Sequence, residues 1–178
     1  MLRWSTHRIL DAIADIQQQQ TLQIDDIESV HCGGIANWRN LPTTSRRMKC
    51  ARFSMQYCVA MMLRNGTLSV QDFTAASVKQ QADAQLLAMI TLAPWTAEQE
   101  AEDRNLPHIL TLRFRNGQEI VHARLRARGA LDEPFSTDDR QAKFLDCCAA
   151  LPQAELLYQR LKELAQQADL TFIRQLMV

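Results

Sequence analysis

The chain has 178 residues, 47% of them hydrophobic, enough for one domain with a buried core. Its 20 basic and 20 acidic residues cancel, so no overall field steers it toward nucleic acid or an anionic membrane. No apolar run is long enough to span a bilayer, and the start at Met1 and Leu2 gives way at once to polar residues, unlike a secretory signal; a cytoplasmic protein is the expectation.

Taken in order, residues 5–17 read as a helix: Ser5 or Thr6 can cap it, and Ile9, Ala12, Ile13 and Ile16 share one face. Ile27 to Cys32 alternates and is β-branched, a strand that ends at Gly33 and Gly34. Residues 33–49 have no period and hold Pro42, Thr43, Thr44 and Ser45, the composition of a long loop. The run from Ala51 to Arg64 is apolar around most of its circumference and so predicts a buried helix, stopped at Asn65 and Gly66. Inside it, Ser54 and Tyr57 carry hydroxyls that need partners once buried.

Ser69 with Asp72 predicts a capping box and a short helix through Phe73. Val78 to Leu87 continues as helix, Ala88 to Leu92 as strand, and the acidic stretch 96–105 as an exposed loop or turn. Asn116 followed by Gly117 is a strong hairpin signal over 109–126. A two-residue turn there pairs Phe114 with Glu119, Leu112 with Val121 and Leu110 with Ala123 on an apolar face packed against helices. Ser136 with Asp139 caps a further helix through Cys148. Pro152 then opens the last one, with Leu156, Leu157, Leu161 and Leu164 expected on its inner face. Together these elements predict a single α+β domain over 1–178, with a small antiparallel sheet, a central Asn-Gly hairpin and helices before and after.

Four segments stand in a telling order and spacing: Thr6 and His7 with Asp11 and Ala12; Ala51 to Gly66; Arg128 and Gly129 with Pro134 and Ser136; and Lys143 with Phe144. In register they resemble the C-terminal domain of the MmgE/PrpD family, which includes 2-methylcitrate dehydratase, cis-aconitate decarboxylase and iminodisuccinate epimerase. The resemblance implies a lid domain for lyase or isomerase chemistry on a small di- or tricarboxylic acid, without metal or nucleotide cofactor. It places His7 and Tyr57 at the cleft as catalytic groups. The chain departs from the family at Leu2 and Arg3, where a Lys and a Pro are usual, at Gln56 in place of a Pro, and at Arg128 in place of a Lys.

Other residues bear on substrate. Ser54, three positions before Tyr57, can cap the helix or bond a carboxylate. Arg46, Arg47 and Lys49 precede the buried helix in a loop, a suitable place for a substrate clamp. Arg113, Arg115, Arg124, Arg126 and Arg128 follow the hairpin and read as a solvated polar face. Five cysteines without C-x-x-C spacing read as small hydrophobes in a reducing compartment. The sequence offers no phosphate loop, no metal-spaced His/Asp/Glu set, and no local base paired with an electrophilic stabiliser. In the family those groups come from a larger all-helical domain, which we expect to lie outside this sequence. The chain alone is then expected to be inactive, binding a polycarboxylate only when joined to that domain. A homodimer through the surface around Phe53 to Leu63 is the expected assembly, and a stand-alone interaction module the alternative reading.

Overall fold

The computed structural model describes residues 4–34, 51–81, 83–102 and 105–176, which form two compact units divided between Glu133 and Pro134. The first unit holds helix α1 (Trp4–Gln19), strand β1 (Ile27–Gly33), helices α2 (Met55–Asn65), α3 (Ala75–Gln81) and α4 (Ala84–Ala88), strand β2 (Ile90–Ala93), helix α5 (Ala97–Glu102), and strands β3 (His108–Phe114) and β4 (Glu119–Arg124). The α+β class holds. The sheet, however, is mixed rather than antiparallel, with order β2-β1-β3-β4. β2 pairs parallel to β1, while β1 with β3 and β3 with β4 are antiparallel. A parallel neighbour needs a crossover of a dozen residues or more, and the helical stretch between β1 and β2 supplies it. The hairpin therefore sits at one edge, not in the centre.

Its register also differs by one residue from the expected one. Phe114 N–H donates to Gln118 C=O at 2.8 Å, and Gly117 N–H to Phe114 C=O at 2.9 Å. The connection is thus Arg115, Asn116 and Gly117, closed by Gly117 at φ 85, the left-handed residue that a three-residue hairpin loop requires. Arg113 pairs with Glu119, Leu112 with Ile120, Thr111 with Val121 and Leu110 with His122. A slip of one exchanges the faces of a strand. Leu112 and Val121 accordingly lie on opposite faces: Leu112 is fully buried, whereas Val121 is 59% exposed. In place of Val121 and Ala123, His122 and Arg124 turn toward the core side.

That side of the sheet carries Val30, Cys32, Ile90, Leu110 and Leu112. They join Ile9, Ile13 and Ile16 of α1 and Met55, Val59 and Met61 of α2 in one apolar cluster. Burial pushes the Cys32 and Cys58 thiols up to about 12, so both behave as small hydrophobes; Cys147 is exposed. The acidic stretch expected as loop contains α5, entered through reciprocal hydrogen bonds between Thr96 and Gln99.

The second unit holds α6 (Thr137–Cys147), α7 (Ala154–Lys162) and α8 (Thr171–Leu176). Ser136 and Asp139 form the predicted capping box. Leu157, Phe172 and Leu176 make its core, and the rings of Phe144 and Tyr158 lie 5.3 Å apart. Leu156 and Leu164 are exposed, contrary to expectation. Adjacent helical residues point about 100° apart, so Leu156 cannot follow Leu157 inward, and Leu164 lies past the end of α7 in a 3-10 turn.

Two glycines separate backbone conformation from crowding. A Cβ on Gly117 would meet nothing within 4 Å, whereas one on Gly34 (φ +84) would sit 2.6 Å from the Pro107 carbonyl and 2.6 Å from Trp95 Nε1. Gly117→Ala should cost about 1 kcal/mol, the left-handed penalty alone, and Gly34→Ala at least about twice that. Urea denaturation of both variants checks the order; equal losses would contradict the packing at Gly34.

Candidate functional site

Helix α1 presents Asp11 and Asp15 one turn apart, a like-charge pair that stands only if cations answer it. Three residues do. Arg124 Nε donates to Asp15 Oδ2 at 2.8 Å and Arg124 Nη2 to Oδ1 at 3.0 Å, a bidentate pair. His122 Nε2 lies 2.9 Å from the same Oδ2, and Arg128 Nη2 donates to Oδ1 at 3.2 Å. Both oxygens of Asp15 are therefore saturated. Arg124 Nη1 also donates to Glu133, and the Arg124 side chain is only 13% exposed. The backbone N–H of Arg128 donates to Asp11 Oδ2 at 2.8 Å. The middle and second half of α1 are thus tied to β4 and to the residues that follow it.

The electrostatics of the two aspartates differ in sign. Burial alone would raise the Asp15 carboxyl, but hydrogen bonds from Arg124, His122 and Arg128 hold it below the ordinary carboxylate range. Burial pushes the Asp11 carboxyl up, and the Arg128 N–H only partly opposes it. Arg124 is held charged by its bonds to Glu133 and Asp15. The arginine ribbon read as a solvated face is therefore split. Arg113 and Arg126 remain exposed, while Arg124 and Arg128 enter the cluster on the core side of the hairpin.

His7 lies in the first turns of α1, partly exposed and one turn before Asp11. Ser54 is the N-cap of α2, its hydroxyl accepting the Tyr57 N–H at 3.2 Å. Of its two expected uses, the structure shows the cap. Tyr57 is 3% exposed, and its hydroxyl donates to the Asp72 carbonyl at 2.6 Å. Burial, then the nearby Asp72, pushes the phenol up to about 12. The Tyr57 ring leans on Phe73 at 5.9 Å, and Asp72 itself accepts from Asn65 Nδ2 at 2.9 Å and from Ser69 N–H at 2.8 Å. Tyr57 thus faces the turn at 70–73, and no hydrogen bond joins it to His7 among the described residues. Arg46, Arg47 and Lys49 lie outside the described residues. The expected association surface along α2 is filled from within: Met55 and every residue from Tyr57 to Leu63 are buried, while exposure falls on Arg52 and Phe53 ahead of the helix and on Arg64 and Asn65 at its end.

The family model of the MmgE/PrpD C-terminal domain matches residues 3–167. The chain belongs to the MmgE/PrpD family. No curated protein sequence shows a significant match to it. Within this MmgE/PrpD domain, Asp11 and Arg128, already among the residues that carry the family likeness, meet through the Arg128 N–H. Asp15, His122, Arg124 and Glu133 went unread as a unit in the sequence. Their signal was the spacing of Asp11 and Asp15 on α1 opposite two basic side chains at alternate positions of β4.

Asp15→Asn should lower stability by about 3 kcal/mol, because it leaves the Arg124 guanidinium buried without its full counter-charge. Asp11→Asn should be near neutral, since the amide oxygen still accepts the Arg128 N–H and no charge is buried. The linkage signs follow. Asp15, depressed in the fold, stabilises above its unfolded value and loses that contribution as pH falls; Asp11, raised, gains stability on protonation. Denaturation of wild type and Asp15→Asn should therefore differ most near neutrality and converge below about pH 4. A gap independent of pH would contradict the charge assignment.

Proposed function

We propose that this chain is the lid, or substrate-cleft, domain of a lyase or isomerase of the 2-methylcitrate dehydratase type, acting on a small di- or tricarboxylic acid. The observation that carries the reading is the family match over residues 3–167, with His7 partly exposed at the start of a helix held by a saturated charge cluster. A catalytic imidazole needs that kind of support, because proton transfer tolerates little displacement from hydrogen-bond reach. In this reading His7 moves a proton at the carbon or oxygen next to a substrate carboxylate. The lid excludes water as it closes, and the groups that stabilise the developing charge come from the family's helical domain.

The role of Tyr57 in this scheme is supportive. Its hydroxyl holds the Asp72 carbonyl, so it fixes α2 against the 70–73 turn, and any contact with substrate would require that bond to open. Burial of α2 favours the cleft reading over a stand-alone interaction module built on that helix. The 178-residue chain by itself should show no turnover of 2-methylcitrate or citrate-like acids, because losing general acid–base or oxyanion groups costs about a hundredfold or more each. Joined to a helical domain of the family, it should turn over substrate and lose about a hundredfold or more on His7→Ala without loss of fold. Turnover by the isolated chain, or an assembled enzyme indifferent to His7→Ala, would overturn the proposal.

A further inference from the structure

We propose that strand β4 is a dimerisation edge, along which a second copy of this chain adds its own β4 antiparallel about Val121. The direction of each backbone group along β4 follows from the hairpin bonds. Phe114 N–H donates to Gln118 C=O, and in an antiparallel ladder such hydrogen-bonded pairs recur at every second residue. Ile120, His122 and Arg124, opposite Leu112, Leu110 and His108, therefore turn their N–H and C=O toward β3. Glu119, Val121 and Ala123 turn theirs outward. All three residues are exposed, and among the described residues no backbone group bonds them from the outer side.

The opposite edge of the sheet is closed off. β2 is four residues long. Met89 and Ala93 point their carbonyls at β1, so the Ile90 carbonyl points away from it, and there it accepts Gln56 Nε2–H at 2.9 Å. Natural sheets blunt their edges with short strands, lysine, proline, bulges or a covering group. β4 has six residues, neither proline nor lysine, and an unbroken pairing with β3. Nor do its charges guard it, because Glu119 is bonded to Arg113, and Arg124 to Asp15 and Glu133.

The side chains select a second copy as the occupant. A two-fold axis at Val121 sets Val121 against Val121 of the second copy and Glu119 against Ala123 in both directions, giving about six hydrogen bonds in three pairs. On the exposed face, Val121 of both copies and the Thr111 paired with each form one β-branched row. On the other face Ile120 meets His122, and Gln118 meets Arg124. No like charges stand opposite each other. Other registers do worse: an axis at Glu119 opposes two carboxylates, one at His122 opposes two imidazoles, and one at Ala123 sets His122 against Arg124. An axis at Ile120 leaves Ala123 outside the paired stretch. The homodimer expected along α2 thus moves to the hairpin edge.

The test is sedimentation velocity of the 178-residue chain from about 1 μM to about 1 mM, with amide hydrogen exchange followed by NMR at both ends of that range. A reversible dimer should appear as concentration rises. The Glu119, Val121 and Ala123 amides should then slow by about tenfold or more, while those of Ile120 and His122 are slow throughout. Val121→Pro removes one outward N–H without touching the β3 ladder, and Val121→Lys sets two ammonium groups face to face. Each should weaken dimerisation by about tenfold or more. Glu98→Lys, an exposed change on α5, should leave it unchanged. If Val121→Pro fails to fold, Val121→Lys decides. A chain still monomeric at about 1 mM, a dimer whose three outward amides exchange as fast as in the monomer, or a dimer untouched by Val121→Lys would each overturn the assignment.

Discussion

The carboxylate of Asp15 is the constraint on which the rest of the first unit depends. It takes two bonds from Arg124, one from Arg128 and one from His122, and each donor comes from the hairpin's second strand or the chain just beyond it. Apolar contact between α1 and the sheet is non-directional and would tolerate sliding or rotation. A bidentate charge pair does not, because its geometry is satisfied in one arrangement. The cluster therefore fixes where along the sheet α1 lies, and with it the position of the His7 end of the helix. Whether such a cluster adds net stability over an apolar substitute is a separate matter, since desolvation offsets much of the attraction.

The register of the hairpin and the charge cluster are one fact seen from two sides. A two-residue turn would aim Val121 and Ala123 at α1 and leave Asp15 facing apolar side chains. The three-residue loop ending in Gly117 aims His122 and Arg124 there instead. Neither outcome is tenable without its partner: charged side chains on the core face need the aspartate, and the aspartates on the helix need the charged strand. Agreement between turn chemistry, register and helix patterning is what gives a unique packing rather than a family of slipped ones.

The parts of the fold set by local chemistry were legible in the sequence. The capping boxes at Ser69 and Ser136, the stop at Gly66 and the inner face of α1 each rest on a few neighbouring residues and recur in the structure. Register was not, because Asn116 and Gly117 suit both a two-residue and a three-residue loop, and a single residue decides the faces of the whole strand. The parallel placement of β2 was hidden for a related reason: it depends on a long helical crossover, not on the strand's own composition. At the site, the family likeness pointed to His7 and Tyr57, and helical spacing to Ser54. The local bonds of Ser54 and Tyr57 emerge only once Asp72 and the α2 cap are seen in space. The Asp15 cluster spans about a hundred residues of sequence and has no local signature beyond the spacing of its aspartates.

The functional consequence is a division of labour along α1. Its apolar face joins the core, its aspartates lock it to the hairpin, and its N-terminal end leaves His7 partly exposed. If the lock is as strong as its geometry implies, Asp15 and Arg124 must be energetically coupled and not merely adjacent. A double-mutant cycle with Asp15→Asn, Arg124→Gln and the combined variant, measured by denaturation near neutral pH, tests this directly. The account predicts a coupling of about 2 kcal/mol, whereas two losses that simply add, to within about 0.5 kcal/mol, would contradict it.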